Sequence, residues 1–149
     1  MMADIVEMAK NLAIRAHSGQ VDKAGRPYIE HVARVAASVR GDDLAEAVAW
    51  LHDVLEDCDV VFRAELMASF PASIVHAVQA LTRVRGISEH QYLGKIRQDA
   101  TALRVKLADI SDNSNEERLA LLDPLTAARL RKKYQEAVQA LEGGRNGSG

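Results

Sequence analysis

Four side chains that can bind a metal ion or transfer a proton fall within one short segment: His52, Asp53, Glu56 and Asp57. The alanine-rich, apolar stretch at residues 44–51 predicts a helix that continues through residue 59. Residues three and four apart share a helix face, so one imidazole and three carboxylates would form one patch. Carboxylates near a helix C-terminus are unfavourable by about 0.3–1 kcal/mol each. A divalent cation would convert this repulsion into coordination, whereas the alternative is a solvated polar helix end.

Two more metal-binding side chains lie in other predicted helices. His31 is near the start of the second helix, and Asp109 interrupts an otherwise apolar run. A buried carboxylate needs a partner, which is either a metal ion or a nearby base such as Lys106 or Arg104. With His52 and Asp53 they make two imidazoles and two carboxylates, a set suited to Mn²⁺, Fe²⁺ or Zn²⁺. Spacing does not choose among these ions.

Glu56 and Asp57 would lie beside such an ion without being needed to hold it. They are therefore candidates for the general acid or base of a metal-assisted reaction.

The elements that must position these groups are helices. Strand patterns are absent, and apolar residues recur at helical spacing in almost every segment. The fold class predicted is all-α, a single domain over residues 1–142, with the glycine-rich residues 143–149 as a flexible tail. The helices are predicted at residues 4–16, 27–39, 43–59, 62–70, 71–81, 88–98, from 101 onward, and 124–141.

Composition narrows the class of protein. A chain of 149 residues with 48% apolar content can bury one core without disulfides. Cys58 is the only cysteine, which excludes a disulfide framework or a cysteine-rich metal site and fits a reducing compartment. The N-terminus lacks a signal-peptide pattern, and no apolar run reaches eighteen residues. We expect a cytoplasmic protein that neither spans nor binds a membrane.

The net charge of −2 argues against a nucleic-acid-binding protein, but the charge is unevenly distributed. Residues 1–75 hold 7 Lys and Arg against 12 Asp and Glu, and residues 76–149 hold 12 against 9. One half would then supply metal-binding acids and the other phosphate-binding bases, with Arg83, Arg104 and Lys106 as candidates. The alternative is that these charges are solvated or paired in salt bridges.

Three segments resemble a known family in order and spacing. They are HSGQVDKAGRPYIEHVARVA from residue 17, AVAWLHDVLEDCD from residue 47 and VKLADISDN from residue 105. Together they resemble the HD-domain pyrophosphohydrolases of the Rel/SpoT type, specifically the small stand-alone alarmone hydrolases, from about Arg15 to Tyr134. The resemblance implies an all-helical HD fold, one Mn²⁺ ion, and hydrolysis of the 3′-pyrophosphate of guanosine tetra- and pentaphosphate to GDP or GTP. The implied partner is a small-molecule nucleotide, and a homodimer is one open possibility for the assembly.

The resemblance also implies a role for individual residues. The family's metal ligands fall on His31, His52, Asp53 and Asp109, and its water-activating Glu-Asp pair falls on Glu56 and Asp57. Substrate contacts fall on Lys23 in the loop, Asn113 near the sugar and Tyr134 late in the chain.

Two positions depart from the family pattern. The family has Arg-Lys where this chain has Asp22-Lys23, so the arginine that stacks on guanine is missing. Arg15 and Arg26 are candidates to replace it. Val32 stands where a proline normally follows the first metal histidine, a change we expect to be neutral for the chemistry.

Two other functions remain open: an HD phosphohydrolase for another nucleotide, and a nucleotide-binding HD protein without turnover. The acids beside the metal favour an enzyme, because a binding protein has no need of them.

Overall fold

The structure of the protein, a computed structural model, describes residues 4–146, with the side chains of residues 5–143. Its helices confirm the all-α class, and the described chain contains no strand; an isolated bridge pairs Val21 with Pro27. None of the helices between residues 4 and 146 has the length and apolarity needed to cross a membrane. In chain order the helices are α1 (Asp4–Ala16), α2 (Tyr28–Ser38), α3 (Asp43–Leu51), α4 (Val54–Asp57), α5 (Val60–Ser69), α6 (Ala72–Ala80), α7 (Glu89–Arg97), α8 (Ala100–Asn113), α9 (Glu116–Leu119) and α10 (Pro124–Asn146).

Helix α3 is the centre of the bundle. Asp42 caps it by accepting a hydrogen bond from the Ala45 amide, an arrangement worth about 1 kcal/mol. The side chains of Ala45, Ala47, Val48 and Ala49 are fully buried. Small residues on several faces let α1, α2, α6 and α8 all pack against this one helix. Its C-terminal end therefore points into the middle of the molecule, and His52 lies there.

Helices α2 and α8 pack against α3 and against each other, which carries His31 and Asp109 to the end of α3. Val32 and Val35 on α2, and Val105 on α8, are fully buried on the sides that meet. Helices α7 and α10 also pack against α8.

The central helix is not continuous, contrary to the sequence prediction. Helix α3 ends at Leu51, His52 is its C-cap, and α4 starts at Val54. Asp53 has φ −106° and ψ 0°, the bridge region between helix and extended backbone. At the break, Nε2 of His52 lies 3.1 Å from Oδ2 of Asp53, whereas consecutive residues on a straight helix point about 100° apart.

The C-terminal helix was predicted to end at Leu141, but α10 continues to Asn146. Two glycines cost about 1 kcal/mol each in a helix, which weakens the helix without stopping it as a proline would. Residues 147–149 lie outside the described part, so the predicted tail and the domain boundary at residue 142 stay predictions. The short helix α9 was also missed, since a single turn has too few residues for a periodic pattern.

The loop between α1 and α2 is ordered by its own backbone. The Asp22 amide donates to the Arg26 carbonyl over 2.8 Å, and the Tyr28 amide donates to the Gln20 carbonyl over 2.9 Å. Gly25 has φ +83°, a left-handed conformation that glycine adopts without strain. The side chain of Gln20 also donates to the carbonyl of Asp57 over 3.2 Å, which ties this loop to the end of α4.

Candidate active site

Three side chains of types that can bind a metal ion converge where α2, the end of α3 and α8 meet. The Nε2 atoms of His31 and His52 lie 2.9 Å and 3.3 Å from Oδ1 of Asp109. One donor atom from each residue lies within 4.8 Å of those of the other two. All three residues are buried. The donors come from helices far apart in the sequence, so the site is a product of the tertiary fold.

The two imidazoles present the same nitrogen to this point. Nδ1 of His52 lies 2.6 Å from the carbonyl oxygen of Ala49, and Nδ1 of His31 lies 2.6 Å from Oδ2 of Asp112. A carbonyl oxygen and a carboxylate only accept hydrogen bonds, so each Nδ1 bears a proton. Nε2 of each ring faces Asp109, and a cation bound there would take the place of the Nε2 proton.

Asp53 adds a second carboxylate to the cluster. Its Oδ2 lies 3.1 Å from Nε2 of His52 and accepts a hydrogen bond from the hydroxyl of Tyr28. Burial and the charge of Asp53 raise the pKa of Tyr28, so the phenol stays protonated and remains a donor. Tyr28 therefore fixes the carboxylate orientation.

Asp109 uses its two oxygens differently. Oδ1 faces the imidazoles, while Oδ2 lies 3.1 Å from the ammonium group of Lys106. Burial raises the pKa of Asp109, but hydrogen bonds from His31 and His52 outweigh it and hold the pKa well below its usual value. Metal binding and a salt bridge to Lys106 were alternatives in the sequence, and the geometry accommodates both.

The donor set fits a hard or borderline divalent ion. It offers imidazole nitrogen and carboxylate oxygen and no sulfur, which matches Mn²⁺, Fe²⁺ or Zn²⁺ rather than a soft ion. Two buried carboxylates facing one point are mutually repulsive, and a cation there would relieve the repulsion.

A cavity of about 250 Å³ opens beside the cluster and is also lined by Glu56 and Asp57. Burial raises the pKa of Glu56 and, with the charge of Asp53, that of Asp57. A carboxylate with a raised pKa is a stronger base than an ordinary one, so both groups are suited to accept a proton.

Three cations also line this first cavity. Arg83, Lys106 and Lys133 line it, with the guanidinium of Arg83 4.3 Å from the ring centre of Tyr92. Burial and the neighbouring cations lower the pKa of Lys133. Arg104, another predicted phosphate ligand, instead pairs with Asp42 over 2.9 Å and does not line the cavity. The first cavity is thus lined by carboxylates and cations together, and Arg83 pairs there with Glu89 over 3.1 Å.

A second cavity of about 300 Å³ adjoins the first, because Tyr28, Asn113 and Tyr134 line both. Lys23 lines the second cavity, and leucines from α9, α10 and the segment between them give it an apolar wall. All three substrate contacts that the family resemblance implied therefore lie at these two cavities. They are Lys23, Asn113 and Tyr134.

Asp22 also lines the second cavity, where it is part of the loop structure. Its Oδ1 accepts hydrogen bonds from the amides of Ala24 and Arg26, and its Oδ2 pairs with Arg118 over 3.1 Å. The side chain of Asp22 is only 9% exposed. A guanidinium is thus present at this cavity, but it comes from α9 rather than from position 22.

The two arginines proposed to replace the stacking residue lie elsewhere. Arg15 pairs with Glu65 over 2.6 Å, and Arg26 pairs with Glu30 over 3.0 Å. Neither lines the first or the second cavity. The assignment of Arg15 as a substrate-binding residue is not supported by its position.

Sequence reasoning missed Tyr28, Lys133, Asp112 and Arg118. Tyr28 lies within the recognised segment and next to a proline, but nothing local links it to Asp53. Asp112 follows Asp109 by three residues, a helical spacing that was a usable signal. Lys133 and Arg118 have no local pattern that separates them from solvated bases.

Comparisons with known proteins agree with this arrangement. A family model described as an HD domain matches residues 9–140. A guanosine-3′,5′-bis(diphosphate) 3′-pyrophosphohydrolase of Vibrio cholerae is 33% identical over 141 residues, which is 85% of this chain and 19% of the relative. A GTP pyrophosphokinase of Myxococcus xanthus is 28% identical over 152 residues, 91% of this chain and 19% of that protein. The chain thus spans about a fifth of the length of these relatives.

A solved structure shares the fold. It is described as a metazoan ortholog of SpoT that hydrolyzes ppGpp, and it aligns with a TM-score of 0.71 over 92% of this chain and 83% of its own. Sequence identity is 22%, so the likeness bears on the fold alone.

Proposed function

This chain belongs to the HD-domain family, and from that premise we propose that it hydrolyses the 3′-pyrophosphate of guanosine tetra- and pentaphosphate to give GDP or GTP and pyrophosphate. The observation on which the proposal rests is one cavity that joins the His31, His52, Asp53 and Asp109 cluster to three further carboxylates and three cations. The relatives named as 3′-pyrophosphohydrolases in Vibrio cholerae and Haemophilus influenzae support the substrate.

One divalent ion, Mn²⁺ by resemblance, would be held by His31, His52, Asp53 and Asp109. When bound, it would act as a Lewis acid toward the negative charge that develops on the attacked phosphate. The fixed Nδ1 protons of both histidines keep their Nε2 atoms available for it.

Glu56 and Asp57 would act on the attacking water. One of them accepts a proton as the water oxygen bonds to the phosphorus next to the ribose, and the bond from that phosphorus to the 3′ oxygen breaks. The departing 3′ oxygen needs one proton, which restores the carboxylate to its ionised state. Arg83, Lys106 and Lys133 would neutralise the negative charge of the diphosphate group that is transferred to water.

The second cavity would hold the guanosine. Its leucine wall and Tyr134 offer an apolar surface for a flat base, and Lys23 offers a charge for the 5′ phosphates. Asn113 lies between the two cavities, where a ribose would join the base to the 3′ diphosphate.

The test is a turnover screen of the purified chain with Mn²⁺, Zn²⁺ or Mg²⁺, comparing guanosine tetraphosphate with an adenosine 3′,5′-bisphosphate and with simple nucleotides. We expect metal-dependent release of pyrophosphate, with guanosine tetraphosphate giving the highest kcat/KM. Tight binding of the alarmone without release of pyrophosphate would instead indicate a regulatory HD protein.

Hydrolysis of a different nucleotide is the second candidate, and Asp22 favours it. Asp22 lines the second cavity at the position where, by the family resemblance, an arginine would stack on guanine. Higher kcat/KM on the adenosine substrate in the same screen would select this alternative.

A further inference from the structure

We infer that Asp112 is a positioning residue for the metal centre. It keeps the ring proton of His31 on Nδ1, so that Nε2 is the nitrogen that binds a cation. The inference rests on the metal centre proposed above and goes beyond the ligand set. It concerns how a ligand is oriented rather than which residues are ligands.

The His31 ring is only 1% exposed, and each of its two nitrogens meets a carboxylate. Nε2 faces Asp109 over 2.9 Å, and Nδ1 faces Asp112 over 2.6 Å. Asp109 and Asp112 are three residues apart on α8, so one helix face supplies both carboxylates. The ring is thus fixed between a ligand in front of it and an acceptor behind it.

His52 differs from His31 in the acceptor that its Nδ1 proton meets. The His52 imidazole donates its Nδ1 proton to the neutral backbone carbonyl of Ala49, one turn earlier in α3. His31 lies in the first turn of α2, and its Nδ1 instead faces a carboxylate from another helix, Asp112 on α8. A charged acceptor also makes the ring a stronger donor toward a metal than a neutral one does.

Asp112 is itself held by two guanidinium groups. The guanidinium of Arg34 donates to both of its oxygens, over 2.7 Å and 3.2 Å, and that of Arg118 donates to Oδ2 over 2.8 Å. These three hydrogen bonds fix the orientation of the Asp112 carboxylate behind the ring.

The experiment compares Asp112→Asn with Asp99→Asn. Asp99 is a matched control, because its carboxylate lies 2.8 Å from Nδ1 of His76, an exposed histidine outside both cavities, and asparagine keeps its capping bond to the Ala102 amide. The dissociation constant for Mn²⁺ is measured by electron paramagnetic resonance of the free ion. We expect Asp112→Asn to bind about 10- to 100-fold more weakly and Asp99→Asn to bind as the wild type does.

A second measurement needs no variant. Long-range ¹H–¹⁵N spectra of the wild type saturated with diamagnetic Zn²⁺ should show His31 with its proton on Nδ1. A proton on Nε2, or an unchanged Mn²⁺ dissociation constant for folded Asp112→Asn, would overturn the inference.

The outcomes also separate this inference from the proposed function. A wild type that binds no divalent ion would remove the metal centre and the inference with it. Normal Mn²⁺ binding that weakens in Asp112→Asn, together with no turnover of the alarmone, would leave the inference standing and reject only the substrate.

Discussion

Residues of the same chemical type have different roles here because their partners differ. Lys106 pairs with a buried carboxylate in the first cavity, whereas Arg104, two residues before it, pairs with Asp42 at the surface. Asp53 and Asp109 face the imidazoles, whereas Glu56 and Asp57 line the cavity without a side-chain partner among the ion pairs of the described residues. The first pair suits metal binding and the second suits proton transfer.

The double variant Glu56→Gln with Asp57→Asn tests this division. Both changes keep the size of the side chain and remove the base, so metal should stay bound while kcat falls by about 10²- to 10⁴-fold. Metal content by mass spectrometry and kcat on guanosine tetraphosphate are the measurements. Glu65→Gln, which removes a surface partner of Arg15, is the control. An unchanged kcat in the double variant would mean that neither carboxylate acts as the base.

The same carboxylates predict the pH dependence of the rate. Burial raises the pKa of both, and only the ionised form accepts a proton. The rate should therefore fall as the pH falls through their pKa values, at a higher pH than for an ordinary carboxyl group with a pKa of about 4. The profile of kcat is measured at saturating Mn²⁺, so that loss of metal does not contribute. A rate that is constant down to the range of an unperturbed carboxyl would contradict this assignment.

At the level of elements, the α1–α2 loop shows how a family position acquires a new partner. Asp22 holds two backbone amides of its own loop and the guanidinium of Arg118 on α9. The loop and α9 together form one side of the second cavity. Asp22, the residue that departs from the family pattern, thus makes an ion pair with Arg118 that depends on its carboxylate.

Replacing Asp22 with arginine should accordingly impair the protein rather than restore a stacking residue. The change removes three hydrogen bonds and places a second guanidinium beside Arg118, so KM for guanosine tetraphosphate should rise and thermal stability should fall. Each hydrogen bond to a charged group contributes about 1.5–3 kcal/mol. Steady-state kinetics and thermal unfolding measure both effects.

Asp22→Asn is the matched control for this prediction. It keeps an oxygen for the amides of Ala24 and Arg26 and removes only the charge that faces Arg118, so its effects should be intermediate. A lower KM in Asp22→Arg would show that the guanidinium is needed at position 22 itself.

For the whole molecule, the fold brings together the two halves of an uneven charge distribution. Glu56 and Asp57 come from the acidic half, and Arg83, Lys106 and Lys133 come from the basic half. The first cavity is where these halves meet, and the buried cluster of His31, His52, Asp53 and Asp109 forms one side of it.

Metal binding should therefore stabilise the whole fold. At a Mn²⁺ concentration of about 100 times its dissociation constant, linkage adds about 2.7 kcal/mol, a rise in Tm of about 5–10 °C for a chain of this size. Thermal unfolding followed by circular dichroism measures the rise. His52→Ala and Asp53→Ala should keep most of the helical signal and lose both bound metal and the Mn²⁺-dependent rise.

His76→Ala serves as the control in that experiment, because His76 is 74% exposed and lies outside both cavities. It should retain the full rise. A rise that persists in both His52→Ala and Asp53→Ala would place the ion elsewhere.

The helical class, the approximate position of most helices and the chemical types in the site could all be predicted from the sequence alone. These properties are local: apolar periodicity follows from 3.6 residues per turn, and capping residues act within a few positions. His52, Asp53, Glu56 and Asp57 were found together because they are close along the chain.

The pairing of side chains that are distant along the chain could not be predicted in this way. His31 meets Asp112 over 81 positions, Arg118 meets Asp22 over 96, and Arg15 turns to Glu65 instead of the site. The break between α3 and α4 was likewise invisible, because a helical pattern continues through it. Such contacts depend on how the helices pack, and a guanidinium or carboxylate has the same local sequence signal whether it faces water, a partner or a substrate.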